Sequence, residues 1–215
     1  MKKSIFIAII SFCTLLSNST FAGSPQYLSA MKSAVSQLDS AYAPSQYLQL
    51  ANTFERIAGV EKSEWLPDYY AAYCYAMFVF SAHDKKSVDM YMDKAEALIN
   101  KADSIKPNNS EIITVKGLIN SGRIMVDPMS RGKKYGIKAN ENYSAAMKLD
   151  STNPRPCFLM GQGLFYTPKM FGGGKEKAKP LLLSAVDKYK TFKPASEIEP
   201  RWGETMAKEV LKQCE

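Results

Sequence analysis

Between residues 94 and 107 the chain reads KAEALINKADSIKP, which sets Ala95, Ile99, Ala102 and Pro107 at offsets of zero, four, seven and twelve. Ala139, Tyr143, Ala146 and Ser151 repeat those offsets, and Ala178, Leu182 and Ala185 repeat the first three. Upstream, Ala51 and Ala58 keep the alanine pair while the large residue moves to Phe54. Offsets of four and seven lie on one face of an α-helix, so each copy is a helix with a large side chain between two methyl-sized ones. The first alanines are 44, 44 and 39 residues apart. A second series runs between them: Gly117 and Gly161 are 44 apart, and Cys74 stands 43 before Gly117. Small residues where helices cross let the axes approach to the short end of the ~8–10 Å range. A lone helix of this length is marginal in water, so packing must hold it. A period of this size marks a stacked array of helical hairpins, an all-α fold.

The rest of the chain agrees. Apolar residues recur at threes and fours almost throughout, with no alternating β-branched run closed by a tight glycine turn. This spacing predicts helices over 26–41, 45–58, 67–82, 87–105, 109–122, 136–149, 155–166, 175–191 and 201–213. Pro44, Pro67, Pro107, Pro154, Pro156, Pro194 and Pro200 fall in the gaps or at helix starts, where a missing amide costs least. Pro180 predicts a late start or a mild kink in its helix. The aromatic run DYYAAYCYAMFVF, residues 68–80, cannot bury Tyr69, Tyr70, Tyr73 and Tyr75 on one side, so some are expected to face a groove or solvent.

Residues 1–22 have a basic start at Lys2 and Lys3, an apolar run from Ile5 to Leu16 and a small-residue exit at Thr20 and Ala22. This is the design of a secretory signal, and the run is too short for a membrane span. Phe12 before Cys13 is bulky where a lipid-attachment signal wants a small residue, so no lipobox is expected. Cleavage after Ala22 leaves 193 residues, a single domain over 23–215, expected to be periplasmic or secreted and not membrane-spanning. The net charge of +7 falls to +5 without Lys2 and Lys3, a mild excess that demands no nucleic acid. Cys74, Cys157 and Cys214 make an odd set, poor for a disulfide framework.

In the paired helices a small residue comes first, then Ala, a large apolar residue and Ala, with a proline after. In this the chain resembles the tetratricopeptide-repeat family. Residues 68–107 and 109–151 carry most of the pattern, 155–185 carry it without the closing proline, and 27–63 carry it weakly. The resemblance implies a right-handed α-α superhelix of helical hairpins, closed by 201–213 as a polar-faced cap. The periods exceed the family's usual ~34 residues. The surplus sits within the hairpins as SAHDKKSVD, IMVDPMSRGKKYG and YTPKMFGGGKE, expected as long loops on one edge. The segment NPRPCFLMGQGLFYTPKMFGGGKEKAKPLL is also similar to exported bacterial repeat proteins, including the T component of some solute transporters.

The resemblance places the first helix of each pair on a concave surface. Its expected binding set is Asp68, Tyr75 and Phe78, then Glu111, then Arg155, Phe158, Gln162 and Phe165. Rigid aromatic rings with a few polar groups suit a peptide groove. The insertion edge offers a second surface at Lys133, Lys134, Tyr135 and Phe171. No catalytic residue, cofactor or metal site is expected. FGGGKEK lacks the spacing, the hydroxyl after Lys and the preceding strand of a phosphate loop. His83, the one histidine in the chain, stands at a helix end beside Asp84, and one histidine with scattered thiols has no zinc-ligand spacing. The reading is a non-enzymatic scaffold of the bacterial envelope that binds a peptide or partner protein. Its alternative is a small-solute-binding accessory of a transport system.

Overall fold

The computed structural model describes residues 24–215; the expected signal segment lies outside them. Among the described residues the regular structure is helical: α1 (Pro25–Asp39), α2 (Pro44–Val60), α3 (Trp65–Ala82), α4 (Val88–Ile105), α5 (Ser110–Arg123), α6 (Pro128–Leu149), α7 (Arg155–Tyr166), α8 (Lys175–Thr191) and α9 (Glu204–Lys212). Each helix packs most closely on a chain neighbour, the closest pairs being α2 with α3, α3 with α4, α5 with α6 and α7 with α8. Their short connections make these pairs antiparallel.

The repeated small residues sit where the pairs cross. A Cβ built on Gly117 would stand 2.4 Å from the Tyr143 ring, and one on Gly161 would stand 2.9 Å from Leu182. Tyr143 and Leu182 are the large central residues of the Ala-large-Ala motif, so the glycine of one helix is the socket for the knob of its partner. The flanking Ala95, Ala102, Ala146, Ala178 and Ala185 are fully buried. Gly132, by contrast, has no atom within 4 Å of its would-be Cβ.

Two expectations need correction. The expected helix 136–149 begins instead at Pro128, because Asp127 caps it by accepting from the Met129 amide at 3.1 Å and Pro128 fills the first helical position. The long third loop therefore shrinks to a 3-10 turn over Ile124–Val126, and Lys133, Lys134 and Tyr135 stand on helix α6 rather than in a loop. Arg131 on the added turns grips Asp89 of α4 with two hydrogen bonds of 2.6 and 2.9 Å. The second correction concerns the tyrosines of α3. Tyr69, Tyr70, Tyr73 and Tyr75 are all buried, on different sides, because α3 is enclosed by α2, α4, α5 and the segment 192–203.

That segment, which leads into the expected cap 201–213 and for which the spacing predicts no element of its own, lies along the side formed by the odd-numbered helices. Tyr70 of α3 donates to the Ile198 carbonyl at 2.9 Å, and the Trp202 ring stacks on Tyr73 at 4.5 Å. The Trp202 indole donates to the Tyr69 hydroxyl, which donates in turn to Glu111 of α5, both at 3.0 Å. Arg155 of α7 ties this cluster together. Its guanidinium donates to Glu111 at 2.8 Å and to the Pro200 carbonyl, and lies over the rings of Phe192 and Trp202 at 4.7 and 5.2 Å. The Arg155 side chain is wholly buried. Burial pushes the Glu111 carboxyl above the ordinary carboxylate range against the pull of Arg155. Burial also works against the Arg155 charge, but the field of Glu111 and nearby tyrosines holds its pKa above the usual value. Lys32 with Glu197, and Asp39 with Arg201 at 2.6 Å, fasten the segment to α1.

Two predictions follow from this packing. Gly117→Val should cost about 1–3 kcal/mol by overpacking against Tyr143, whereas Gly132→Ala should be neutral or stabilise by up to about 1 kcal/mol; urea titration of both variants compares them. Arg155→Met strands the buried Glu111 charge and should cost about 3–5 kcal/mol, and adding Glu111→Leu should restore part of the loss in the same assay.

Candidate functional site

With the odd-helix side filled by the chain itself, the surfaces left for a ligand are elsewhere. Two surface hollows, of about 100 Å³ beside Val79, His83, Val88 and Met125 and about 180 Å³ between α1 and α2, fall short of the ~300 Å³ at which ordinary ligand cavities begin. His83 ends α3 in the left-handed conformation, φ 54°, as a helix-terminal residue.

A third candidate lies on the opposite side of α3, between α2 and α4, where Phe78 is half-buried while Asp68, Ala71 and Tyr75 are buried. Asp68, Ala71, Tyr75 and Phe78 recur there at helical spacing. Tyr75 reaches both neighbours: its hydroxyl donates to Glu55 of α2, and its ring stacks on Tyr91 of α4 at 5.6 Å. Phe78 meets Tyr91 edge-on at 4.6 Å, and both rings are half-buried. The Lys94 ammonium, one turn along α4, stands 5.6 Å from the Tyr75 ring centre and 5.8 Å from that of Tyr91. Among the described residues it is in no ion pair. Burial raises the pKa of Tyr75, helped by its bond to Glu55, so its hydroxyl stays protonated. Burial also raises Asp68, countered by Lys101 of α4. The result is two half-buried rings, Phe78 and Tyr91, packed with the buried Tyr75, with the exposed Lys94 and Lys101 on one rim, a small apolar surface beside cations.

The expected binding residues thus divide among several places. Glu111, Arg155 and Phe158 come together, but as a buried cluster under 192–203, with Phe158 beside Gly203. Asp68, Tyr75 and Phe78 do not join them, since they lie more than a quarter turn round α3 from Tyr69 and Tyr73, which face that segment. Gln162 is half-buried on α7, and Phe165 packs edge-on against Tyr166 at 5.0 Å near the α7–α8 turn, where Phe171 is exposed. Lys133 and Lys134 are exposed on α6, with the Lys134 ammonium 5.2 Å from the Tyr135 ring. Tyr91 and Lys94 escaped the sequence reading. Their signal was the stripe Tyr91, Lys94, Leu98 and Lys101 on α4, in register with the aromatic face of α3.

No family model matches the sequence, and no curated protein matches it. Among solved structures, the chain is similar to the HusA haemophore from Porphyromonas gingivalis, with a TM-score of 0.80. The two share 35% sequence identity, over 91% of this chain and 94% of that one. An all-helical chain with that identity over almost the full length of both proteins belongs to the family of the HusA haemophore.

Proposed function

We propose that this protein is an exported, non-enzymatic binder of a haem-like tetrapyrrole. The observation that carries this reading is the identity to a haemophore along nearly the whole chain. The signal-like residues 1–22 support export. We read the helical hairpins as a tetratricopeptide-like right-handed superhelix, on the strength of the 44-residue recurrence and the small-residue sockets at Gly117 and Gly161.

A tetrapyrrole is a broad flat ring with carboxylate arms, and the face of α3 and α4 has the matching chemistry. Phe78 and Tyr91 offer ring surface, Tyr75 holds Tyr91 in place from beneath, and Lys94 and Lys101 stand where the carboxylates would lie. Each ring contact contributes about 0.5–1.5 kcal/mol beyond buried area, so the two together add roughly 1–3 kcal/mol. The lysines act as rim charges that speed encounter and orient the ligand. The peptide-scaffold reading is less favoured, because the side expected to hold a peptide already holds residues 192–203. Of the alternative raised by the sequence, a small-solute-binding accessory of a transport system, the small-ligand part is consistent with similarity to a haemophore.

Titration of the purified protein with haemin, followed by the shift of its main visible absorption band, should give saturable binding. Phe78→Ala with Tyr91→Ala should weaken it by at least about tenfold, and Lys94→Gln by a smaller, salt-dependent factor. Absence of saturable binding by the wild type would overturn the function; undiminished binding by the double variant would overturn the site.

A further inference from the structure

At the turn between α7 and α8, Tyr166, Met170 and Phe171 are 67, 83 and 55% exposed. Three large apolar side chains within six residues are a concentrated patch rather than scattered surface hydrophobics. The turn that presents them is tightly wound. The amides of Phe171 and Gly173 donate to the Pro168 carbonyl at 2.9 and 3.2 Å, and the Gly174 amide donates to the Leu164 carbonyl at 2.8 Å. Gly172 and Gly174 take φ of 89° and 114°, and a Cβ on Gly173 would stand 2.1 Å from the Thr167 carbonyl oxygen. The glycines therefore permit a frame that no larger residue fits, and that frame holds Met170 and Phe171 outward.

The flank of the tip is cationic. Lys169 is matched by Glu176 at 2.7 Å, but Lys175 and Lys177 donate only to backbone carbonyls, those of Gln213 and Gly172. Neither is in an ion pair among the described residues. Both stand in the first turn of α8, where the helix dipole adds further positive potential. The charge is spread around the apolar tip and aimed at no single point.

We propose that this tip docks on an anionic lipid bilayer, with Met170, Phe171 and the Tyr166 ring entering the headgroup region and Lys175 and Lys177 against its negative surface. Apolar side chains backed by diffuse cations suit such a surface, because neither group needs a directional partner there. The ringed face of α3 belongs to other helices, so the docking does not depend on tetrapyrrole binding.

Co-sedimentation of the purified protein with phosphatidylcholine vesicles, with and without phosphatidylglycerol, tests this. The wild type should bind the anionic vesicles, and added salt should weaken the binding. Met170→Ser with Phe171→Ser should lower the partition at least about tenfold without changing the melting temperature. Lys175→Gln with Lys177→Gln should lower it on the anionic vesicles alone. No binding by the wild type, or binding undiminished in the Met170→Ser, Phe171→Ser variant, would overturn the proposal. Loss of haemin binding by that variant, together with indifference of the wild type to vesicles, would assign the tip to the tetrapyrrole instead and overturn docking.

Discussion

Close approach of paired helices at Gly117 and Gly161 is the constraint on which the other features rest. With no side chain there, Tyr143 and Leu182 seat directly on the partner backbone, and the alanines one turn to either side let the contact continue along the axes. Isolated helices of this length would be marginal, so interlocking supplies the order that composition alone does not. The stacking then leaves α3 surrounded. Its four tyrosines are buried on several sides at once, and the two sides of the helix acquire different roles.

On one side the tyrosines form part of a polar core. Tyr69, Glu111, Arg155 and Trp202 form one hydrogen-bonded network beneath residues 192–203, with the buried Arg155 linking α5, α7 and that segment. A buried ion pair of this kind adds little net stability over a well-packed apolar substitute, but losing one partner is costly. Its arrangement favours a role in fixing the path of 192–203, and so in keeping the odd-helix side closed. On the other side the buried Tyr75 joins Phe78, Tyr91 and Lys94, where the Phe78 and Tyr91 rings remain partly accessible and a cation stands nearby.

The sequence reveals the helices and the socket positions because both follow from local spacing. Ala95, Ala139 and Gly161 announce their packing through what recurs three, four and seven residues away. The start of α6 is written in Asp127 and Pro128, a cap and a first-turn proline, though the period places the helix from 136 and the preceding residues in an insertion. The course of 192–203 had no local signal. It depends on contacts between residues more than a hundred apart, such as Tyr70 with Ile198 and Trp202 with Tyr69, and neither partner alone suggests the other. For the same reason Arg155 and Glu111 were legible as members of one concave face but neither as a pair nor as buried. Tyr91 joined the aromatic face only once α4 was placed beside α3.

Hydrogen–deuterium exchange of the protein with and without haemin tests most directly the division between a closed side and a binding side. Slowed exchange confined to the facing stretches of α3 and α4, residues 71–78 and 88–101, is the predicted result. Slowed or accelerated exchange centred on 192–203 and the start of α7 would place the ligand under that segment and contradict the account.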